Sequence, residues 1–420
     1  MNRTPFAIVL ILFLAAPAAR AADSLQTGDY LAVIGDSITE QKLYSVFIED
    51  YLLMCQPAAD LRQTQFGWGG ETSWGFAARM DNDMLRFQPT AITTCYGMND
   101  GGYSPMTPEK AQHYRDNQRQ IVERAKQAKV RLIVVGSPGC VDADTFHKKP
   151  AEAEMYNKTL AAERDIAREV AQSEGVAFAN VYDPMIDVMT KAKAKYGRKY
   201  HLAGGDGIHP DRNGHLVMAY AFLKGLGCSG DIGRITVDLK ANQAEATLGH
   251  KVLSCRDGVV ELESTRYPFC FYGDPAQTSS TRGVLEFLPF NQDLNRLTLV
   301  VKEPAGRCKV TWGTTSKEFS AEQLSNGINL AAEFLDNPFS EPFQQVENVI
   351  HRQQEFETPL VKNLLHSIPD YKRAAPDASD SLEQVATGCV REDKELISVS
   401  SSAVKPVRHK IVIRGLGTGG

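Results

Sequence analysis

The chain has 420 residues, 43% hydrophobic, 23% charged and 8% aromatic, which is too apolar for disorder and lacks any fibrous period. Its formal net charge is −5, from 46 basic and 51 acidic residues, and no Lys/Arg cluster marks a nucleic-acid footprint. These numbers exclude a DNA- or RNA-binder and leave room for about two or three domains.

The first element in chain order is a leader. Arg3 supplies a positive start, residues 6–16 form an apolar run ended by Pro17, and Ala19-Arg20-Ala21 offers a cleavage site. The run is shorter than the roughly 20 apolar residues a transmembrane helix needs. Residues 1–21 thus read as a signal peptide cleaved near Ala21. The expected product is exported, periplasmic or secreted, with no transmembrane anchor.

Short apolar runs and helical periods alternate over residues 28–228. Residues 30–34 predict a strand that stops at Gly35. Residues 37–54 have helical spacing, with Leu43, Phe47, Tyr51 and Met54 on one face. A buried strand follows at 91–96. Thr107-Pro108-Glu109 then combines a cap, a Pro at the first helical position and an acid in the first turn, opening a helix to about Lys129. Strands at 130–135 and 176–181 bracket a helix at 151–173, and Asp211 caps a last helix to about Leu226. Strands separated by helices predict right-handed crossovers and a mostly parallel sheet covered on both faces, an α/β sandwich.

Composition shifts near residues 227–231. Beyond it, β-like runs at 235–239, 259–262, 269–272, 297–301 and 308–312 predict a small antiparallel sheet within an accessory region, 231–318. Residues 319–372 regain helical character and are expected to pack back on the α/β domain. The stretch 373–420 reads as a polar tail, with 410–413 able to add one edge strand. Eight Cys are spread through the chain without any C-x-x-C, so a zinc ribbon is unsupported. Cys95 reads as a small buried hydrophobe. Cys255, Cys270 and Cys308 share the β-rich region, where one bridge could form.

Four short motifs carry chemistry. Gly35-Asp36-Ser37 places a Ser after the first strand, at the carboxyl end where open α/β sheets bind ligands. The competing reading of Ser37-Ile38-Thr39-Glu40 is a helix capping box. Gly67-Trp68-Gly69-Gly70-Glu71-Thr72 is a Gly-rich loop that can aim a backbone N–H at an oxyanion, or be only a tight turn. It lacks the Lys of a phosphate-binding loop. In Gly97-Met98-Asn99-Asp100, Asn99 can donate to developing negative charge, whereas Asp100 reads as structural. Last, Asp206-Gly207-Ile208-His209-Pro210 spaces a carboxylate to hold the imidazole Nδ1–H and free Nε2 to act as a base. A metal pair is the rival there, but no further His/Asp cluster completes a metal site, and neither metal nor cofactor is expected. His113, His201 and His215 read as surface or packing residues.

Together the four blocks, in this order, resemble the SGNH hydrolase superfamily, the GDSL esterases and lipases. The resemblance covers about residues 28–228. It implies a flavodoxin-like three-layer α/β/α sandwich, with Ser37 as nucleophile and His209 as general base oriented by Asp206. It also implies an oxyanion hole made by the Ser37 N–H, the Gly70 N–H and the Asn99 side chain, with Gly69 the rival for the second position. A Ser hydroxyl is a weak nucleophile until an imidazole accepts its proton, so these roles fit the residue types.

The superfamily hosts many esters, and the fold does not choose among them. Trp68 and Trp74 flank the Gly-rich loop and either stack on sugar rings or pack as core. The first expectation is a secreted serine esterase acting on a small-molecule or polysaccharide ester, removing acetyl groups. A lipolytic esterase, lysophospholipase or O-acyltransferase shares the acyl-enzyme step. A non-catalytic carbohydrate-binding protein on the same scaffold is the alternative of another class.

Overall fold

A computed structural model describes residues 24–247 and 249–416; the expected leader lies outside the described residues. The N-terminal half runs β1 (Tyr30–Gly35), α1 (Ser37–Glu40), α2 (Tyr44–Asp50), β2 (Arg62–Gln65), α3 (Ser73–Asp83), β3 (Ala91–Cys95), α4 (Pro108–Gln127), β4 (Leu132–Gly136), α5 (Pro150–Glu174), β5 (Ala177–Ala179), α6 (Tyr182–Tyr196) and α7 (Arg212–Gly225). All six residues of β1 are buried. Side chains alternate across a strand, so Tyr30, Ala32 and Ile34 enter one core while Leu31 and Val33 enter the other. A strand buried on both faces requires helices on both, and the sheet is accordingly parallel throughout, in the order β2-β1-β3-β4-β5. This is the flavodoxin-like order, whose switch point lies between β1 and β3.

The helix expected over 37–54 is broken. Lys42 adopts a left-handed φ of 56° and its ammonium donates to the Glu40 carbonyl at 2.7 Å, ending α1 after one turn. Strand β2, with the sequence Arg-Gln-Thr-Gln, had no apolar signal and was not anticipated, and neither were α3 and α6.

The C-terminal half continues with β6 (Asp231–Asp238), β7 (Gln243–Ala246), β8 (His250–Arg256), β9 (Val259–Ser264), α8 (Phe290–Asp293), β10 (Arg296–Lys302), β11 (Cys308–Trp312), β12 (Thr315–Phe319), α9 (Ala321–Asn326), β13 (Ile328–Asn329), α10 (Leu330–Glu333), α11 (Ser340–Pro359), α12 (Ile368–Ala374), α13 (Ser379–Ala403) and β14 (Val407–Gly415). Four expectations need correction here. There are two sheets, β13-β10-β6-β7 and β12-β11-β14-β9-β8, and β6 pairs with β10 in parallel. Residues 269–272 form no strand; Phe269 is held by side-chain packing against Phe290 and Phe343 at 4.9 and 5.1 Å. Residues 373–416 are no tail, because α13 and β14 occupy them, and β14 is a central strand between β9 and β11. Finally, all eight cysteines are unpaired. Cys255 on β8 and Cys308 on β11 stand three strand spacings apart, roughly 14 Å, beyond the reach of a disulfide.

Strand β14 is held by a buried relay. Trp312 Nε1–H donates to His409 Nδ1 at 3.2 Å, His409 Nε2–H to the Ser264 hydroxyl at 2.9 Å, and Ser264 to His250 Nδ1 at 2.8 Å. His250 Nε2–H ends the chain on the Ile232 carbonyl at 3.1 Å. Burial lowers the pKa of His409 to about 3, keeping both its ring nitrogens available for these assigned roles.

Edge strand β2 is covered by the C-terminal helices through polar groups. Its Gln65 N–H donates to Glu357 at 2.8 Å, and Thr64 donates to Asp393 at 2.9 Å. Gln353 and Gln354 donate to Glu49 at 2.9 and 2.6 Å. Burial raises Glu49 to about 8 and Asp393 to about 6, and lifts Glu357 well above the carboxylate range. A raised acid stabilises the fold fully below its unfolded value, and that stability is lost as pH rises through the folded value. Buried His215 and His409, each lowered to about 3, oppose this only below about pH 6.5. The melting temperature should therefore fall between about pH 6.5 and 8.5, and Glu49→Gln should flatten that fall. Calorimetry across this range checks it; equal slopes for the two proteins would show that Glu49 is not held protonated.

Candidate active site

Four segments build the site: the loops after β1, β2 and β3, and the stretch between α6 and α7. After β1, Asp36 rather than Ser37 caps α1: its carboxylate accepts from the Ile38 N–H at 2.9 Å. That frees the Ser37 side chain, and the capping-box reading fails. Burial raises Asp36 to about 7, helped by nearby Asp100 and Glu71. The Ser37 hydroxyl lies 2.8 Å from His209 Nε2. His209 Nδ1–H donates in turn to Asp206 at 2.6 Å, and the other Asp206 oxygen accepts from the Ile208 and His209 N–H groups, each at 2.9 Å. Partial burial works to raise Asp206, but the bonds from His209 and Ile208 outweigh it and hold the carboxyl below its usual value. An acceptor-only carboxylate on Nδ1 leaves Nε2 with its lone pair toward Ser37.

The Gly-rich loop lies against α1. A Cβ on Gly67 would overlap the Glu40 backbone nitrogen, so glycine alone permits this approach. Gly69 N–H donates to Glu40 Oε2, whereas Gly70, at φ 74°, faces open space and its N–H has no acceptor among the described residues. Gly69 thus braces the loop, and Gly70 presents a free donor. Asn99 Nδ2 donates to the Glu71 carbonyl at 3.0 Å and stands 3.4 Å from Asp36 Oδ2. Asp100 ties the loops together, accepting from the Ser73 N–H at 2.9 Å and from the Gly97 N–H at 3.2 Å. His215 is buried and neutral, taking the Tyr44 N–H on Nδ1 at 3.2 Å, a packing residue as expected.

Trp68 is not a free stacking surface. The Arg79 guanidinium and the Lys362 ammonium each sit 4.9 Å from its ring centre, and His366 meets it edge-on at 4.8 Å. Trp74 is different, 55% exposed at the start of α3, beside Ser73. Four residues escaped the sequence reading. Arg79 forms a two-pronged bond to Glu71 at 2.6 and 2.7 Å, and Tyr96 donates to the same carboxylate at 2.7 Å. Tyr103, 38% exposed with φ 52°, stacks on Tyr156 at 4.9 Å and reaches Asn99 Oδ1 at 3.5 Å. Lys362 arrives from the far end of the chain. The Arg79, Tyr96 and Lys362 contacts have no local sequence signal, because each joins separate elements.

Residues 33–217 match the model of the GDSL-like lipase/acylhydrolase family. These residues form an SGNH hydrolase domain, and the protein is an ester-hydrolysing enzyme. An acetylxylan esterase of Geobacillus stearothermophilus is 22% identical over 222 residues, 48% of this chain and 95% of that one. A gut microbial diltiazem-metabolizing enzyme superposes with a TM-score of 0.71 at 24% identity, over 94% of this chain and 100% of its own. That second likeness extends the shared fold through the C-terminal half. A catalytic mutant of the Geobacillus esterase overlaps 49% of this chain and 96% of its own, with 20% identity and a TM-score of 0.41.

The Glu71–Arg79 pair is almost wholly buried, with side chains 6% and 3% exposed. Removing one partner strands the other charge, so Arg79→Leu should cost about 3–5 kcal/mol of stability. Urea titration reads this directly, and a loss under 1 kcal/mol, the size of an exposed pair, would show that the pair does not hold the loop.

Proposed function

We propose that the protein is an exported serine esterase in which Ser37 attacks the ester carbonyl, His209 takes its proton, and Asp206 holds the imidazole. The observation that carries this is the continuous bonding from Ser37 to His209 at 2.8 Å and from His209 to Asp206 at 2.6 Å, beside unengaged Ser37 and Gly70 N–H groups. Ser37 Oγ bonds to the carbonyl carbon, and the oxygen that becomes negative takes the Ser37 and Gly70 N–H groups. Asn99 adds a third donor, because its 3.4 Å contact to Asp36 is long enough to yield to a charged acceptor. His209 then returns the proton to the departing alcohol, leaving an acyl-Ser37. It next activates the water that releases the acid.

Carbohydrate acetyl esters are the substrate class we favour. The named activity of the Geobacillus relative supports this, as do the exposed Trp74 and the leader-like residues 1–21. A small ester bearing an aromatic ring is a second reading. It is favoured by Tyr103, whose exposed ring beside Asn99 is backed by stacked Tyr156 and Phe146.

Hydrolysis of p-nitrophenyl esters from acetate to palmitate, then of acetylated xylan and of an O-acetyl phenol, separates these readings. Ser37→Ala and His209→Ala should each lose about 10⁴-fold in turnover, and Asn99→Ala about 10²–10³-fold. Activity that survives Ser37→Ala would overturn the mechanism; activity rising with chain length would overturn the acetyl preference.

A further inference from the structure

The C-terminal half lies outside the matched domain, yet one helical run from it touches both sides of the site. Helix α11 continues through the helical turn Leu360–Leu364. Near its start, Glu347 accepts from Arg212, the third residue after His209, and the Arg212 guanidinium lies over Phe47 at 4.8 Å. Near its end, Lys362 Nζ donates to Glu40 Oε1 at 2.7 Å. The other oxygen of Glu40 receives the Gly69 N–H, next to the free Gly70 donor. Lys362 and His366 also close on the Trp68 ring, while the Trp68 N–H is fixed to the Gly35 carbonyl at 3.0 Å. His366 is anchored separately on Asp83 at 2.9 Å.

We infer that Lys362 is a positioning residue: through Glu40 and Trp68 it sets the Gly70 N–H at the distance from Ser37 that the oxyanion requires. This rests on the proposed roles of Ser37 and Gly70. The physical need is specific. Gly70 has left-handed φ, no side chain and no backbone bond of its own; the turn around it is closed by the Glu71 N–H on the Trp68 carbonyl at 3.1 Å, so its N–H points where Trp68 and Gly69 are held. An unanchored donor must reorganise as charge develops, whereas catalysis by fixed dipoles depends on avoiding that step. Glu40 is the anchor, with both oxygens occupied, one by the loop and one by Lys362. Lys362 and Glu40 are each 24% exposed, so water competes for Glu40 once the ammonium is removed. The Glu347–Arg212 contact at the other end makes the same helix a strut between the base side and the oxyanion side of the site.

The test compares Lys362→Met and Lys362→Arg with the wild-type full chain, at a temperature where near-UV circular dichroism shows all three folded. The rate of Ser37 labelling by a fluorophosphonate is measured beside kcat and KM for p-nitrophenyl acetate. Lys362→Met should lower kcat and the labelling rate tenfold or more with KM within twofold, and Lys362→Arg should restore most of both. The pH at which kcat/KM is half-maximal should not move, because the His209–Asp206 bond is untouched. If Lys362→Met does not fold, Glu40→Gln reads the same link and should lower both rates about threefold or more. Rates within twofold of wild type, or a rise in KM alone, would overturn the inference. Ser37→Ala serves as the separating control: if it still turns over ester, the proposed mechanism itself fails. If it is dead while the Lys362 variants are unimpaired, only the positioning role falls.

Discussion

The hydrogen bond between Ser37 and His209 joins residues 172 positions apart, and the architecture is best understood as what holds those two loops together. A 2.8 Å contact tolerates little movement before proton transfer becomes inefficient. Neither loop is rigid by itself. Ser37 starts a single helical turn, and His209 lies in an irregular segment where Asp206 supplies three of the fixing bonds. Rigidity comes from beneath, where β1 is buried on both faces, and from the side, where Gly67 allows the loop after β2 to close on α1. The acid-base chain is thus imposed on the loops by a sheet edge and a helix face that do no chemistry.

That dependence explains why the C-terminal half shares a core with the α/β domain. Residues of α2, of α7 and of the C-terminal half, from Phe47 and Phe222 to Phe269 and Trp312, belong to one continuous apolar cluster. On the other face, Leu360, Leu365, Ala386 and Ile397 join the cluster built on Tyr30, Ile34 and Phe76. An edge strand made of Arg62, Gln63, Thr64 and Gln65 could not have been left to solvent or to apolar cover. Its outward N–H and its polar side chains need partners, and α11 and α13 bring carboxyl and amide groups to them.

The legible parts of the sequence were those whose signal is local. The run at residues 132–136 is apolar throughout, and Thr107-Pro108 announces a helix start by the chemistry of its own backbone. The four motifs that meet at the proposed site stood out for the same reason, since each lies within six consecutive residues after a strand or before a helix. Helix α13 shows what hides an element. It buries Ala386, Val390, Asp393, Ile397 and Ser400, at steps of four, three, four and three, which is helical spacing. Two of those five positions are polar, so the stripe does not look apolar until Thr64 and Tyr30 are seen opposite Asp393. Strand β14 alternates Val407, His409, Ile411 and Ile413 inward, with both nitrogens of the histidine taken by Trp312 and Ser264.

Trp68 and Glu40 make the same point at the site itself. By sequence, Trp68 read either as a sugar platform or as packing, and Glu40 as half of a capping box. Each reading assigned the residue to its nearest chain neighbours, and each residue is instead engaged by Lys362, about three hundred positions later. The oxyanion side of the site is therefore not self-contained within residues 33–217, whereas the Ser37–His209–Asp206 side is. The nucleophile and base make their bonds directly to each other and need only to be brought near. The Gly70 donor has no partner until an oxyanion forms, so its aim must be set in advance by groups that never touch substrate. A helical run that reaches Glu40 from outside residues 33–217 can set that aim.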